Sequence, residues 1–488
     1  MKAALILDNQ LLEEHPAMTD KDIDVIIMIE AQDVYRTLPY HSHKLVLLLS
    51  AMRHFRFQVE LRGKKIIYET LDQTPYFNQS LKRIIEERNI TVLSWMKSSD
   101  MVPNQTLIEI TNELKIDYEL YPNEMFLTPE SELRDWFSRQ KSPLMENFYH
   151  WQRQRTGILM ANNKPVGGRW NYDSENRRPL PKNSPEIPAL LFPVHDAITK
   201  QVIDDVRSYF PTHPGNASDF WLPVTHTEAT EWLGAFVSER FSRFGPYEDA
   251  MKDGESFLFH SVLSPLINCG LLSVRQVVDA VLAAYTSDDI PIESVEGFIR
   301  QLIGWREYMY GLYLSEPAMI LQNYFGFNKQ LEDWWYTADG LTQDLPLPVL
   351  GALRTVQAYG YNHHIERLMI LGNWFLLNEY DPQSVYRWFS SMYVDAYEWV
   401  MVPNVIGMSQ YADGGRTATK PYISGGNYLQ KMGRWWPSAI DAKDSQFTSL
   451  YWQFLQNNDE KLQSNFRMSL VLAHARSRQI TPKTGLNS

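Results

Sequence analysis

The sequence predicts an α/β plus all-α protein: a parallel-sheet α/β domain, a long linker and a larger all-helical domain. Short apolar runs alternate with helical patterns over residues 1–125. A stretch rich in Gly, Pro, Asn and Arg follows within residues 126–197, and apolar residues at helical spacing dominate residues 198–488. A chain of 488 residues is also too long for one ordinary core, which favours several domains.

The N-terminal part has the pattern of a parallel sheet. Four short apolar runs, most of them rich in β-branched residues, predict strands at residues 3–7, 25–29, 65–68 and 90–93. Apolar residues at helical spacing predict a helix over residues 44–57. Open sheets of this kind bind ligands at the carboxyl ends of their strands, so a ligand is expected there.

The predicted linker carries a basic loop. Between residues 164 and 182 it has five basic residues and two acidic ones: Lys164, Arg169, Arg177, Arg178 and Lys182 against Asp173 and Glu175. Loops of this length are usually functional or disordered. The charge pattern leaves two interpretations open, a solvated linker held to the body by Trp170 and Tyr172, or a loop that faces DNA.

Composition excludes several classes of protein. The formal net charge is -12, so any contact with nucleic acid must come from a local basic surface. The one cysteine, Cys269, cannot form an internal disulfide, a structural zinc site or an iron–sulfur cluster within the chain. The chain shows no signal peptide and no apolar run of membrane-spanning length, which predicts a cytoplasmic protein without membrane association.

Two helices of the C-terminal part carry groups suited to chemistry. His363 and His364 open a helix, and histidine suits proton transfer at neutral pH, although most helical histidines have structural roles. Arg367 and Asp395 lie on or near the packed faces of two apolar helices and should therefore pair. Such a pair is either purely structural or lies against a polar ring such as isoalloxazine.

Two further segments are weaker signals. A helix is expected to end at Pro403 and to lead into a Gly-rich loop over residues 404–415, where a ligand can approach the backbone. Ser264 and Pro265 can begin a helix, and helix N-termini bind phosphate, although ordinary capping is commoner. A clear helix start is predicted where Asp381 can cap and Pro382 occupies the first position.

Taken together, the chain resembles the photolyase/cryptochrome superfamily. Within it, the chain is most similar to the bacterial (6-4) photolyases that typically carry an iron–sulfur cluster. Four stretches carry the resemblance: HKLVLLLSAMRHF at residues 43–55, RTGILMANNKPVGGRWNYDSENRRPLP at 155–181, YNHHIERLMILGNWFLL at 361–377, and a last stretch at 394–432 that begins VDAYEWVMVPNVIGMSQYADGG.

The resemblance implies FAD in the helical domain. The residues it assigns to the flavin are Ser261, Val262, Leu263 and Ser264 for the phosphates, Arg306 beside them, Arg367 and Asp395 against the ring, Asn404 facing flavin N5, and Gly407. The catalytic positions it implies are His364 with His363, and Tyr422 and Tyr428 in the lesion pocket. Leu368 stands where animal-type enzymes have a second histidine, which suggests chemistry with one histidine.

The resemblance also implies an antenna, an electron path and a DNA surface. The antenna would be 6,7-dimethyl-8-ribityllumazine in the N-terminal domain, with Gln10 and Glu30 as contacts. Trp388 would be a step in the electron path to the flavin. The linker residues Lys164, Arg169, Arg177 and Arg178 would then contact DNA.

The sequence departs from the resembling branch at the iron–sulfur cluster. That branch uses four cysteines, three of them after the stretch that here ends at Met432. Here the chain continues Gly-Arg-Trp-Trp-Pro without a cysteine, and residues 345–353 have none either. We therefore expect no iron–sulfur cluster and no other metal, with Trp435 and Trp436 filling the space.

The function implied is light-driven repair of (6-4) pyrimidine photoproducts, with damaged DNA as partner, no obligate protein partner and a monomeric chain. Three alternatives stay open: a cryptochrome-like photoreceptor, a cyclobutane-dimer photolyase, and a flavoprotein without activity. His364 and the two pocket tyrosines favour (6-4) repair, because repair of cyclobutane dimers does not need the histidine proton.

Overall fold

The computed structural model describes residues 1–287 and 290–478. It confirms a five-stranded parallel sheet in the N-terminal part and helices beyond it. The strands are β1 Lys2–Leu5, β2 Val25–Ile29, β3 Ile66–Glu69, β4 Val92–Met96 and β5 Asp117–Tyr121, in the spatial order β3-β2-β1-β4-β5. The order reverses between β1 and β4, and ligands of such sheets bind at the strand ends beside this switch point.

The four predicted strands are confirmed, with ends that differ by up to three residues. All five residues of β2 are buried, as expected of a strand with neighbours on both sides. In register, Ala3 faces Val25 of β2 and Leu93 of β4. The sequence did not predict β5, because the run DYELY lies exposed at the sheet edge and has no continuous apolar pattern.

Helices cover both faces of the sheet and continue into the segment predicted as linker. They are α1 Pro16–Thr19, α2 Ser42–Leu61, α3 Phe77–Glu87, α4 Met101–Leu114, α5 Glu130–Ser138 and α6 Met145–Thr156. The predicted helix over residues 44–57 lies within α2. A two-stranded hairpin, β6 Met160–Ala161 and β7 Lys164–Pro165, then leads into the basic loop.

The remaining α-helices build the C-terminal part. They are α7 Ala197–Tyr209, α8 His226–Glu239, α9 Phe241–Phe244, α10 Ser264–Cys269, α11 Val274–Ser287, α12 Ile292–Ile299, α13 Glu307–Ser315, α14 Leu347–Tyr359, α15 Asn373–Leu377, α16 Pro382–Met392, α17 Glu398–Met401, α18 Gly426–Gly433, α19 Ala439–Lys443, α20 Gln446–Asn457, α21 Asp459–Leu462 and α22 Ser469–Arg476. Short 3-10 turns occur at Val34–Arg36, Val166–Gly168, Asp173–Glu175, Ala217–Asp219, Pro317–Leu321, Asp333–Tyr336, Ala338–Thr342 and Phe466–Met468. No helix in the described ranges is long and apolar enough to cross a membrane.

Three helices widen into π-helical turns at Arg300–Arg306, Glu366–Gly372 and Val402–Ser409. The expectation that a helix ends at Pro403 is wrong, because α17 continues through Pro403 as a π-helix to Ser409. Wider turns accommodate a residue that has no N–H to donate, and π-bulges are frequent at functional sites. The predicted start of α16 is confirmed: the Asp381 carboxylate accepts the N–H of Ser384, and Pro382 is the first helical residue.

Two histidines fasten α2 to the C-terminal part. His41 Nδ1 accepts the N–H of His43, so its proton is on Nε2, which donates to the Gln357 carbonyl at 3.0 Å. His43 Nε2 donates to the Asn216 carbonyl at 2.9 Å. Both rings are fully buried. A second proton on either ring would therefore meet another N–H donor or apolar side chains instead of a hydrogen-bond acceptor.

Acid is expected to weaken this contact. Burial lowers the pKa of His41 to about 3 and that of His43 to about 4. An unfolded histidine takes up its proton near pH 6.5, so below that pH the unfolded chain binds more protons than the folded chain. The contribution to stability is therefore complete above about pH 6.5 and falls by up to about 1.4 kcal/mol per pH unit per histidine until the folded pKa is reached.

The variant His43→Asn tests this expectation by denaturant unfolding across that pH range. Its free energy of unfolding should fall less steeply toward acid than that of the wild type, because one depressed pKa is removed. His474→Asn, a change of an exposed histidine, is the control and should keep the wild-type slope. Equal slopes for His43→Asn and the wild type would contradict the assignment.

Candidate functional site

A cavity with a volume of about 900 Å³ opens into the helical part of the chain. Its walls come from residues 261–268, 298–309, 361–369, 389–409 and 420–428, with residues of the basic loop at 171–177. The segments are far apart in sequence and meet here because π-helical turns and short helices direct them inward. The size suits a ligand larger than a single nucleotide.

An ion pair lies in the cavity wall. Arg367 and Asp395 form a two-pronged contact, Nη1 to Oδ1 at 2.9 Å and Nη2 to Oδ2 at 3.0 Å. The predicted pairing is therefore confirmed. Arg367 Nε also donates to the Asn362 carbonyl, the Ser264 hydroxyl donates to Asp395 Oδ2 at 2.6 Å, and the Asn268 amide donates to the Asp395 carbonyl. The pair is thus fixed in orientation and presents a flat, polar surface.

The segment predicted to hold phosphates lies along one wall. Ser261, Leu263 and Ser264 line the cavity, and α10 begins at Ser264 as predicted. Val262 does not line it: its side chain is buried and its φ is 55°. The turn at Val262 separates the two serines, and the Ser264 hydroxyl is already engaged by Asp395.

Arg306 is the strongest sign of an anionic ligand. Its guanidinium lines the cavity, and its Nε and Nη1 atoms are buried without hydrogen-bond partners. Burial lowers the pKa of Arg306 to about 10. The neighbouring Glu307 accepts the N–H groups of Leu127 and Thr128 and lies 3.7 Å from Arg306 Nη1. The guanidinium also lies over the rings of Phe126 and Trp399, which leaves its hydrogen-bond donors unused. Unused donors on a buried cation fit a phosphate group.

Asn404 lines the cavity beside the ion pair. Its amide donates to the Val400 carbonyl at 2.8 Å, and its Oδ1 accepts the Trp305 indole N–H at 3.1 Å. Gly407 faces elsewhere, because a methyl group added there would lie 2.3 Å from the Thr417 hydroxyl. The structure therefore brings Asn404 to the cavity and leaves Gly407 behind it, where close packing requires a glycine.

His364 has an exposed ring in the cavity wall. Its Nε2 lies 3.4 Å from Asp249 Oδ1, with Glu248 close by. Burial alone would lower the pKa of His364, but the hydrogen bond to Asp249 and the charges of Asp249 and Glu248 outweigh it, so the pKa is raised. A raised pKa increases the protonated fraction of a histidine at a given pH, and the protonated ring can donate its proton.

His363 points away from the cavity. It is fully buried, stacked on His260 with ring centroids 4.6 Å apart, and lies 3.4 Å from a Glu366 carboxylate oxygen. Burial and the nearby His363 hold the pKa of His260 well below its usual range. The adjacent histidines therefore differ in environment: His364 is open to a ligand, and His363 supports it from behind.

The exposed part of the cavity combines aromatic and charged side chains. Tyr422 and Tyr428 line it, and Tyr422 is 40% exposed. Arg177 lines it as well and pairs with Asp173. The other three basic residues predicted for DNA lie outside the cavity: Lys164 is exposed on β7, and Arg169 and Arg178 pair with Glu175.

Trp388 lies behind the cavity wall. It is fully buried, and Phe389 separates it from the cavity, at 5.1 Å between ring centroids. Its indole N–H donates to the Trp335 carbonyl, and the Trp335 ring lies 6.2 Å away. Trp334 stacks on Trp335 at 4.4 Å and is partly exposed. A row of indoles thus connects the interior with the surface.

The two residues predicted as antenna contacts differ in their surroundings. Gln10 is at the switch point after β1, where its Nε2 donates to the Met96 and Lys97 carbonyls and its Oε1 is buried without a partner. Glu30 follows β2, and its carboxylate is occupied by Arg53 and Tyr68. Gln10 has an unused acceptor for a ligand, whereas Glu30 has its oxygens already bonded.

Sequence reasoning missed Asp249 and Asn268. Asp249 partners His364 across 115 residues, and Asn268 holds the Asp395 backbone across 127 residues. Neither stands in a motif, so only the folded chain brings them to the site. In the ranges that the structure describes, no group of three or more His, Cys, Asp or Glu side chains is arranged to hold a metal ion.

Comparisons with known proteins agree with this arrangement. The family described as deoxyribodipyrimidine photo-lyase-related protein matches residues 4–222. A (6-4) photolyase from Agrobacterium fabrum is 38% identical over 483 residues, covering 95% of this chain and 93% of that protein. The likeness thus includes the sheet, the linker and the cavity.

Two solved structures share the fold. A bacterial class III photolyase from Agrobacterium tumefaciens superposes with a TM-score of 0.59 at 15% identity, covering 98% of this chain and 92% of that chain. A cryptochrome from Synechocystis superposes with a TM-score of 0.57 at 15% identity, covering 93% and 92%. At this identity the likeness concerns the fold alone.

Proposed function

Since the chain belongs to the photolyase/cryptochrome family, on the branch of the (6-4) photolyases, we propose that it repairs (6-4) pyrimidine photoproducts in DNA. It is a photolyase enzyme with a flavin chromophore, FAD, and DNA as its substrate. One observation carries the choice of lesion: His364, with its raised pKa, faces a cavity large enough for a cofactor and a flipped-out base.

The cavity residues fit FAD. The unused donors of Arg306 suit its phosphates, with Ser261 nearby, and the Arg367–Asp395 pair offers a flat polar surface for the ring. Asn404 would face the ring from the same wall. Bound and reduced, FAD supplies an electron to the lesion upon excitation by light. The protein contributes binding, orientation and the exclusion of water.

His364 would donate the proton. The lesion, held against Tyr422 and Tyr428, would receive it from the imidazolium that Asp249 stabilises. His363 would act with it by fixing the backbone of the histidine pair through its stacking on His260. A damaged base is easier to unstack than an intact one, so the cost of flipping adds to selectivity.

DNA would contact the basic loop. Arg177 would reach the phosphates beside the flipped base, while Lys164, Arg169 and Arg178 would contact the backbone further out. In the chain alone Arg177, Arg169 and Arg178 face the carboxylates of Asp173 or Glu175. Binding would exchange these exposed ion pairs for phosphates, which costs little because exposed pairs are weak.

Trp388 would pass electrons to the resting flavin. Its own burial prevents direct exchange with a reductant in solution, and Trp335 and Trp334 offer the continuation to the surface. The lumazine antenna would bind at the switch point. Its polar ring fits the unused Oδ1 of Asn9 and Oε1 of Gln10, both buried there.

We further propose that the chain holds no iron–sulfur cluster. Cys269 is fully buried in α10, where burial raises its thiol pKa to about 12. The region where relatives place their cysteines contains Trp435, whose ring packs so closely on α14 that a methyl group at Gly351 would lie 2.8 Å from it. The indole occupies that space.

Repair of two defined oligonucleotides tests the proposal. Purified protein with reduced flavin is illuminated with a (6-4) lesion or with a cyclobutane dimer, and the repaired bases are measured. We expect repair of the (6-4) lesion only. Repair of the cyclobutane dimer alone would reassign the substrate, and repair of neither by a photoactive flavoprotein would indicate a photoreceptor.

A further inference from the structure

Two charged residues of the N-terminal part reach across to the wall of the flavin site. Lys44, on α2, donates from Nζ to the Ala396 carbonyl at 2.5 Å. Asp100, which follows β4, accepts the N–H of Trp399 on Oδ1 at 2.8 Å. Ala396 directly follows Asp395 of the ion pair. The two contacts therefore hold both sides of the turn that leads from the ion pair into α17.

Lys44 is a buried cation whose close partners are one carbonyl and two aromatic rings, and the rings offset only part of the cost of its burial. The side chain is buried, with Nζ 4.6 Å from the Tyr40 ring centroid and 4.8 Å from that of Tyr397. Burial lowers its pKa to about 8, and only the more distant charges of acidic groups such as Asp100 oppose this. A buried ammonium whose hydrogen bond goes to a carbonyl is costly, so stability alone does not explain it.

The carboxyl group of Asp100 is also buried in an unusual environment for an acidic side chain. Burial raises the pKa of its carboxyl to about 7, partly offset by the hydrogen bond from Trp399. The Asp100 carboxylate accepts an N–H at the start of α17 and so caps this helix. The same helix continues as the π-helix that carries Asn404. An apolar contact could pack two domains together, but it could not fix the direction of these two peptide groups.

We infer that Lys44 and Asp100 are positioning residues for the flavin-binding segment 395–404. The Lys44 contact fixes the orientation of the Ala396 carbonyl, one residue after Asp395. The Asp100 contact fixes the first turn of α17, the helix that leads to Asn404. The flavin site is then complete only when the sheet domain is docked. The inference rests on the flavin site proposed above.

The variant Lys44→Met tests the inference by titration of the apoprotein with FAD. Without the Lys44 contact, FAD binding must itself order segment 395–404, and we expect the FAD dissociation constant to rise roughly tenfold to a hundredfold. The flavin reduction potential should also shift, because the segment that carries Asp395 and Asn404 would hold the ring differently. The free energy of unfolding of the apoprotein should stay equal or rise, since the methionine is easier to bury.

Lys64→Met is the matched control. Lys64 Nζ also donates to a backbone carbonyl, that of Asp20, within the N-terminal part and without contact to the cavity. This variant should leave the FAD affinity and the flavin potential unchanged. Wild-type affinity and potential in Lys44→Met, or an equal loss in Lys64→Met, would overturn the inference.

Asp100 gives an independent measurement, which decides the matter if Lys44→Met does not fold. Asp100→Asn keeps an oxygen to accept the Trp399 N–H and should keep the FAD affinity, whereas Asp100→Ala should weaken it. Equal affinities in these two variants would overturn the inference and leave the proposed function intact. A wild-type protein that binds no FAD would overturn both.

Discussion

The variant His364→Ala is expected to lose light-driven (6-4) repair by at least about a hundredfold, the range typical of a lost general acid. The fold and the FAD content should stay as in the wild type, because the imidazole is half exposed and its side-chain hydrogen bond is with Asp249 at the cavity wall. The measurement is the quantum yield of repair under identical illumination. His474→Ala, which changes an exposed histidine of α22, is the control and should repair at the wild-type rate.

The dependence on pH provides a second readout of the same group. Because the pKa of His364 is raised, the protonated donor persists to higher pH than on an ordinary histidine, and repair should decline as the pH rises through that pKa. Asp249→Asn removes the carboxylate that is hydrogen-bonded to the imidazolium of His364, so the decline in repair should begin at a lower pH. Undiminished repair in His364→Ala, or an unshifted profile in Asp249→Asn, would contradict the assigned role.

The variant Asp395→Ala is expected to cost the largest amount of stability. It removes the acceptor of both Arg367 Nη atoms and of the Ser264 hydroxyl, and leaves the Arg367 charge in the cavity wall without its carboxylate. Breaking a buried pair in this way typically costs about 3–5 kcal/mol. We expect a loss of that size in denaturant unfolding, together with loss of FAD during purification.

The double variant Arg367→Met with Asp395→Leu separates stability from binding. Apolar replacement of both partners of a buried pair is often neutral for stability, so most of the loss should be recovered. FAD binding should not recover, since the polar surface for the ring is gone. A double variant that binds FAD like the wild type would show that the pair is structural only.

Sequence patterns predicted the parts of the fold that repeat over several residues. The apolar run of β2 and the cap and proline that begin α16 are local features, and both were found where predicted. The exposed edge strand β5 has no such pattern and was missed. The π-helical continuation through Pro403 was also missed, because the local preference of proline argues for the end of a helix there.

The candidate site could be predicted only where family resemblance named residues. The Arg367–Asp395 pair also followed from charge on packed faces, and the structure contains it. Val262 and Gly407 belong to the right segments, but their backbone turns them away from the cavity. Asp249 and Lys44 could not be found from sequence, since their partners lie 115 and 352 residues away.

The single cysteine has a practical consequence. Its thiol is fully buried and its pKa is raised to about 12, so the reactive thiolate is scarce at neutral pH. Alkylating reagents should leave the folded wild-type chain unlabelled. A cysteine introduced on the surface, for example by Arg178→Cys in the basic loop, would then be the one fast-reacting site for a fluorophore or spin label. The natural chain is thus ready for distance measurements on DNA binding without prior removal of its own cysteine.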